Sequence, residues 1–184
     1  MSTARNFLDS SLLLYRYYKK LGEGVLRQLN EDELKRAPDP ESNSIAVIVK
    51  HLHGNMRSRF TDFLTSDGEK LWRERDDEFV HSLDSKESIL QAWEEGWQVV
   101  FEAVENLQAE DVGKIVYIRN QGHTVLEAMQ RQLGHYAYHI GQMVFWAKHL
   151  KGDDWESLSV PKGKSKAFNA EKFSREKRRE HFTK

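Results

Sequence analysis

The sequence predicts an all-α fold, a four-helix bundle, on three observations. Only three prolines interrupt 184 residues. Four long stretches repeat apolar side chains at three- and four-residue steps, the spacing of one helix face. One of those stretches opens on Thr124-Val125-Leu126-Glu127, a full capping box in which the Thr hydroxyl and the Glu carboxylate satisfy amides of the first turn. The length suits a single domain and is enough to bury a core without staples.

The first helix is expected from about Thr3 to Leu29, with Phe7, Leu14, Tyr18, Leu21, Val25 and Leu29 as its apolar stripe. Asn30 to Ser42 reads as a connector, because a helix should not pass through Pro38 and Pro40. The second helix starts near Asn43 or Ser44, either of which can cap it. Its stripe is Ile45, Ile48, Val49, Leu52, Met56, Phe60 and Phe63, and Ser66-Asp67-Gly68 stops it. A charged loop from Glu69 to Phe79 follows. The third helix begins after Asp84 or Ser85, with Asp84 and Glu87 at capping-box spacing. Leu90, Trp93, Trp97, Val100, Phe101, Val104 and Leu107 should face inward. Lys114 to Arg119 reads as a short strand or extended arm ended by Asn120-Gln121-Gly122. The fourth helix runs from Thr124 to about Leu150 and stops at Lys151-Gly152, with Leu126, Met129, Leu133, Ala137, Ile140 and Val144 as its main stripe. Four amphipathic helices of this kind bury their stripes by packing as a bundle.

Beyond that bundle, assigned to residues 1–152, the reading has two more parts. Residues 153–170 carry Trp155, Leu158, Val160 and Phe168, so this extension should pack on the bundle or on a second copy, as in a homodimer. Residues 171–184 are a basic tail, expected to be solvated and flexible.

Composition removes several function classes. With 28 Lys+Arg against 29 Asp+Glu there is no basic excess, so nucleic acid is not an expected partner. The absence of cysteine rules out a disulfide framework, a thiolate metal site and a cysteine nucleophile, and it fits a reducing cytoplasm. No secretory leader is visible and no apolar run is long enough for a bilayer, so a membrane is not expected either.

The chemistry concentrates in Gly134-His135-Tyr136-Ala137-Tyr138-His139-Ile140-Gly141-Gln142. His135 and His139 are four residues apart in a helix, which puts both imidazoles on one face and within reach of one ion. At about 100° per residue they lie about 110–150° from the centre of the apolar stripe. Their own face carries Ala128, Gln132, Gln142 and Trp146, the mixed character of a cleft wall rather than a charged surface. A third ligand must come from another helix, and the second helix offers His51 and His53. Periodicity leaves that choice open. His51 shares a small and polar stripe with Ser44, Val47, Asn55, Ser58 and Asp62, whereas His53 sits beside Lys50 and Arg57, at a solvent edge.

These features resemble the DinB/YfiT-like superfamily of metalloenzymes: a His in mid second helix, His-x-x-x-His then Gly-Gln on the fourth, and a four-helix layout across residues 5–150. His-Leu-x-Gly-Asn at 51–55, Thr-Asp-Phe-Leu-Thr-Ser-Asp-Gly-Glu-Lys at 61–70 and Trp-x-x-Leu-Ser-Val-Pro-Lys-Gly at 155–163 are similar to an uncharacterised bacterial branch of it. The resemblance implies a divalent metal on His51, His135 and His139, a bundle of up-down-down-up topology, and relatives that include thiol-dependent S-transferases, a thiol-dependent isomerase and metal hydrolases.

Imidazole ligands suit zinc or nickel first, with iron or manganese as further candidates. Three neutral imidazoles leave the ion with positive charge and an open position, which serves hydrolysis through water or transfer of a small-molecule thiol to an electrophile. Asn55, Tyr138 and Gln142 are candidates to orient a ligand or substrate. Asp62 is on the His51 stripe but nearly three turns away, and Asp67, Glu69, Arg73 and Arg75 belong to a loop that can lie over the cleft. No general base stands out near the histidines. Three readings follow: a metal-dependent transferase or hydrolase acting on a small molecule with a low-molecular-weight thiol, a non-catalytic metal-binding or stress-related protein, and a scaffold for a basic arm.

Overall fold

A computed structural model describes residues 2–80 and 83–183; residues 1, 81, 82 and 184 lie outside the described residues. Helix α1 spans Thr3–Gln28 and is capped by Ser2, whose hydroxyl accepts from the Arg5 amide at 3.2 Å. Its buried face runs through Leu8, Ser11, Tyr15, Val25 and Leu26. Of the expected stripe, Val25 and Leu29 are buried and Phe7, Leu14, Tyr18 and Leu21 are only half-buried, so the face is rotated by about one residue over the earlier turns. Tertiary contacts set that rotation. The Tyr15 hydroxyl donates to the carbonyl of Met129 at 2.8 Å, and Gly22 lies against the Trp93 ring, where a Cβ would come within 2.3 Å of Cη2.

The connector contains a short helix, α2 (Glu31–Lys35), built on a reciprocal cap between Asn30 and Glu33, and it buries Leu34. Pro38 and Pro40 lie outside any helix. Helix α3 (Ile45–Phe60) is capped by Ser44, and Ile45, Ile48, Val49, Leu52, Met56 and Phe60 are buried as expected. It ends before Ser66-Asp67-Gly68, because the chain turns at Asp62, which has a φ of 49°. Helix α4 (Asp77–Val80) is a single turn. Helix α5 (Lys86–Glu105) uses Ser85 with Ser88 as its cap rather than Asp84 with Glu87. That choice places Ile89 in the core and leaves Leu90, expected inside, 39 % exposed.

The extended arm is the first half of a hairpin. Strand β1 (Ile115–Ile118) pairs antiparallel with β2 (Gln121–Thr124). Arg119 and Asn120 form the two-residue turn with φ of 55° and 59°, the left-handed pair that suits a tight hairpin. Gln121 and Gly122 therefore begin the return strand instead of ending the arm. Helix α6 (Val125–Lys151) has the expected Thr124–Glu127 capping box and stops at Gly152, where φ is 54°.

The protein is mostly helical, with this hairpin as the one sheet among the described residues. α3 packs against α5 and α6, and α1 against α6 and α5. Trp93, Trp97, Tyr15 and Tyr136 fill the space between them. After α6, Trp155 and Leu158 pack on the core, and the Glu156 amide donates to Gln28 at 2.8 Å. Val160 and Phe168 are exposed by 38 % and 43 %, and α7 (Ser165–Phe173) buries nothing. The chain then returns to α1. Arg179 donates to Asn6 at 2.6 Å, and the Phe182 ring lies 5.5 Å from that of Tyr17. No helix among the described residues is long and apolar enough to cross a membrane.

Candidate metal centre

Helices α3 and α6 each contribute a stripe of polar side chains to one cleft of about 280 Å3. His51, Asn55 and Arg59 come from α3 at four-residue steps; Gln132, His135 and His139 come from α6. The three imidazoles His51, His135 and His139 converge, their candidate ligand atoms within 4.8 Å of one another. His51 Nε2 lies 3.1 Å from His135 Nε2, and His139 Nε2 lies 3.1 Å from the same atom. Imidazole nitrogens that share one ion at about 2.0–2.1 Å stand about 2.8–3.4 Å apart, so the spacing fits a metal. His51, His135 and His139 can hold one.

The far side of the rings supports the same fit. His51 Nδ1 is 2.8 Å from Glu78 Oε2, and His139 Nδ1 is 2.9 Å from Gln142 Oε1. An oxygen at Nδ1 holds the proton there and turns the Nε2 lone pair inward, which is how second partners orient metal-binding histidines. Burial, with the neighbouring His139 and His51 adding to it, pushes His135 down to about 3. Burial, then His51, pushes His139 down to about 4 against the hydrogen bond to Gln142. Both rings are therefore neutral at pH 7, the form that ligates.

Glu78 is the residue that sequence reasoning missed. It is buried under α3 and held by three donors: His51, and the Nε and Nη2 of Arg73 at 2.8 and 2.9 Å. Burial opposes its charge, yet the hydrogen bonds from His51 and Arg73 hold its pKa below the usual carboxylate value. One signal existed in the sequence. Gly54 sits inside α3, where glycine costs about 1 kcal/mol relative to alanine. A Cβ there would lie 2.1 Å from Glu78 Oε1, so Gly54 makes room for the carboxylate.

The other expected residues divide. Asn55 is buried and lines the cleft, and its Oδ1 has no partner. Gln142 fixes His139 from behind and does not line the cleft. Tyr138 is 63 % exposed, edge-on to His139, and also outside the cleft. Tyr136 is fully buried in the core. His53 is not at a solvent edge: it is half-buried against α5, with Nε2 3.3 Å from Glu95. Asp62 is exposed at the end of α3. Asp67 accepts the amides of Glu69, Arg119 and Asn120, which ties the hairpin turn to this loop. Arg73 and Arg75 do line the cleft. Glu69 binds Arg59 at 3.0 Å and Arg119 at 3.1 Å. The charged loop expected to be able to lie over the cleft thus does so as an ion-paired wall, because its arginines find Glu69 and Glu78.

Fold and site together define a helical protein with a three-histidine cluster able to hold a metal. Residues 2–164 match the family described as "Protein of unknown function (DUF1572)", and the chain belongs to that family. Comparison with curated proteins gives no match.

Proposed function

We propose that this is a DinB/YfiT-like metalloenzyme, a bundle of up-down-down-up topology that transfers a small-molecule thiol to an electrophile. The observation that carries the reading is the convergence of His51, His135 and His139 in an open cleft, with two of the rings fixed from behind. A divalent ion, zinc or nickel first, would supply the positive charge that favours a thiolate over its thiol at neutral pH. The chain supplies the rest. Glu78 and Gln142 hold the Nδ1 protons, Arg73 keeps Glu78 ionised, and Phe79, its ring centroid 4.7 Å from that of His51, covers one side of the cleft. With no cysteine in the chain, the thiol must be a cosubstrate.

Transfer is favoured over hydrolysis by what lines the cleft. Hydrolysis of this kind generally needs a positioned group to carry a proton to the leaving group. Among the described residues no carboxylate lines the cleft, and the nearby Glu69 and Glu78 are bound by arginines. A thiolate is already a strong nucleophile and needs less help.

The test has two parts. Elemental analysis should find up to one divalent ion per chain, lost in His135→Ala and in His139→Ala. Metal-loaded protein should then consume a chloro-aromatic electrophile only when a low-molecular-weight thiol is added, with His139→Ala as control. Metal-dependent ester or amide hydrolysis without thiol would replace the transferase by a hydrolase. Metal without either activity would favour a metal-binding protein.

A further inference from the structure

Five arginines surround the histidine cleft: Arg59 from α3, Arg73 and Arg75 from the loop before α4, Arg119 from the hairpin turn and Arg131 from α6. The two carboxylates beside them, Glu69 and Glu78, are both engaged. Glu78 is shared by Arg73 and His51; Glu69 by Arg59 and Arg119, with Arg73 at 3.5 Å. Five guanidinium charges thus face these two carboxylates, with Asp67, bound to the Arg119 amide, and the exposed Asp76 as the further acidic groups beside them. At the rim, Arg75 lies over the Phe79 ring at 5.3 Å, and its ion pair, to the fully exposed Asp76, is long at 3.8 Å. Arg131 approaches only the His123 ring, at 3.2 Å, and no carboxylate pairs with it among the described residues. Like charges brought together at this density are unfavourable unless an anion joins them.

A second set of observations lies deeper. Asn55, Gln132 and Arg59 are 5 %, 3 % and 6 % exposed. Asn55 Oδ1, Gln132 Oε1 and Arg59 Nε have no hydrogen-bond partner. All three residues line the cleft. Buried polar atoms without partners cost stability, and a ligand is one reason to keep them.

We propose that the cleft takes a small molecule carrying a carboxylate or phosphate group, bound by Arg131, Arg119 and Arg75 at the rim. Asn55 and Gln132 accept hydrogen bonds from N–H or O–H groups of the same molecule further in. Guanidinium is the side chain best matched to both anions, because its fork donates two parallel hydrogen bonds. A cleft of about 280 Å3 is at the small end of ligand pockets, which limits the occupant to a metabolite-sized compound. The inference rests on the reading of this cleft as the substrate site, but not on a metal or on thiol transfer.

The full chain, stripped of metal, is titrated by calorimetry with succinate, with inorganic phosphate and with uncharged succinamide. Succinate and phosphate should each bind at one site and compete, and succinamide should bind at least tenfold more weakly. Whichever anion binds tighter identifies the headgroup. Arg131→Gln with Arg119→Gln should weaken the anions at least tenfold, and added salt should weaken them further. Equal binding of succinamide and succinate, or anion binding unchanged in the arginine variant, would overturn the inference while leaving the metal reading intact. Arginine-dependent anion binding in a protein that never retains metal would leave the inference standing without the metal reading. Circular dichroism of the variant separates lost binding from lost folding, and Lys at both positions should restore part of the affinity, as a charge effect requires.

Discussion

The two sides of helix α3 obey opposite rules. On its apolar side, Leu52, Met56 and Phe60 share one core with Trp93 and Trp97 of α5, and Gly96 lets the helices approach until a Cβ would touch Met56 at 3.0 Å. Toward α6 the same helix presents His51, Asn55 and Arg59, all buried and all polar. On the first side burial is favourable in itself, at about 25 cal/mol per Å2 of apolar surface removed from water. On the second side burial costs stability unless each polar group finds a partner, and several do not. A fold that tolerates this on one side of a helix whose other side is close-packed keeps the polar groups for a purpose other than stability. His51 and His53, two residues apart, are the sharpest form of the contrast.

The largest expected effect breaks or confirms that division. His51→Ala should lose the metal altogether, and His53→Ala should keep it, because His53 faces Glu95 of α5. Elemental analysis of the two variants decides, and the reverse result would place the functional side of α3 on the wrong helix interface. Next in size is Glu78→Gln. It should weaken metal affinity by about 10–100-fold, the usual cost of removing a partner behind a ligating histidine. It should also lower Tm, since Arg73, its side chain 2 % exposed, loses its doubly bonded carboxylate. Gly54→Ala sharpens the point: alanine is the better helix former, yet its Cβ must displace Glu78. Unchanged metal affinity in both variants would show that Glu78 does not orient His51.

The pH dependence of the metal-free protein is a smaller effect with a definite sign. His135 and His139 are pushed down to about 3 and about 4, against about 6.5 in the unfolded chain. Below about 6.5 the unfolded chain takes up protons that the folded cleft refuses, so stability is fully present above that pH and falls as the pH drops toward 4 and then 3. Glu78 and Glu69 are held below the usual carboxylate range, so their contribution is fully present above about 4.5 and is lost progressively below it, adding to the acid end of the same slope. Melting curves between pH 7 and 4 should therefore slope downward in acid, and His135→Gln with His139→Gln should flatten that slope. A flat wild-type curve over the same window would show that the two rings are accessible to protons when folded.

What could be read from the sequence follows the same division. The apolar stripe of α3 was legible because periodicity reports burial directly, and the α6 cap because Thr124 and Glu127 are local to each other. The His135–His139 pair was legible from its spacing, whereas periodicity left His51 and His53 open, and the polar stripe together with the family resemblance pointed to His51. The stripe of α1 came out about one residue off over its first turns, whereas that of α5 is buried at Trp93, Trp97, Val100, Val104 and Leu107 and departs at Leu90 and the half-buried Phe101. The rotation of α1 is set by a contact distant in sequence, Tyr15 with Met129, and the start of α5 by a local choice between two caps, Ser85 with Ser88 over Asp84 with Glu87. Arg73 and Arg75 were legible only as members of a loop that could lie over the cleft, and Glu78 was not legible at all. Glu78 lies 27 residues from His51, in a single helical turn within a segment that shows no periodicity, and nothing local distinguishes a buried carboxylate there from a solvated one. Gly54 was the only local trace, and a glycine says that something comes close, not what.

The smallest effect tests whether the interior itself is free of the cleft's logic. Tyr15 and Tyr136 are both fully buried, with ring centroids 6.0 Å apart, but they differ at the hydroxyl. That of Tyr15 donates to the Met129 carbonyl at 2.8 Å, and that of Tyr136 has no partner. Tyr15→Phe removes a made hydrogen bond and leaves the carbonyl short of a donor, which should cost about 0.5–1.5 kcal/mol. Tyr136→Phe removes a buried hydroxyl that gains nothing and should be neutral or stabilising by up to about 1 kcal/mol. Urea titrations of the two variants at pH 7 compare them directly, with equal m-values as the check that the unfolded states match. Tyr136 is next to His135 in the chain, with ring centroids 5.8 Å apart. A loss of stability in Tyr136→Phe as large as that in Tyr15→Phe would mean that its hydroxyl has a partner reached through the cleft. The dry interior would then begin one residue further from the histidines than the packing indicates.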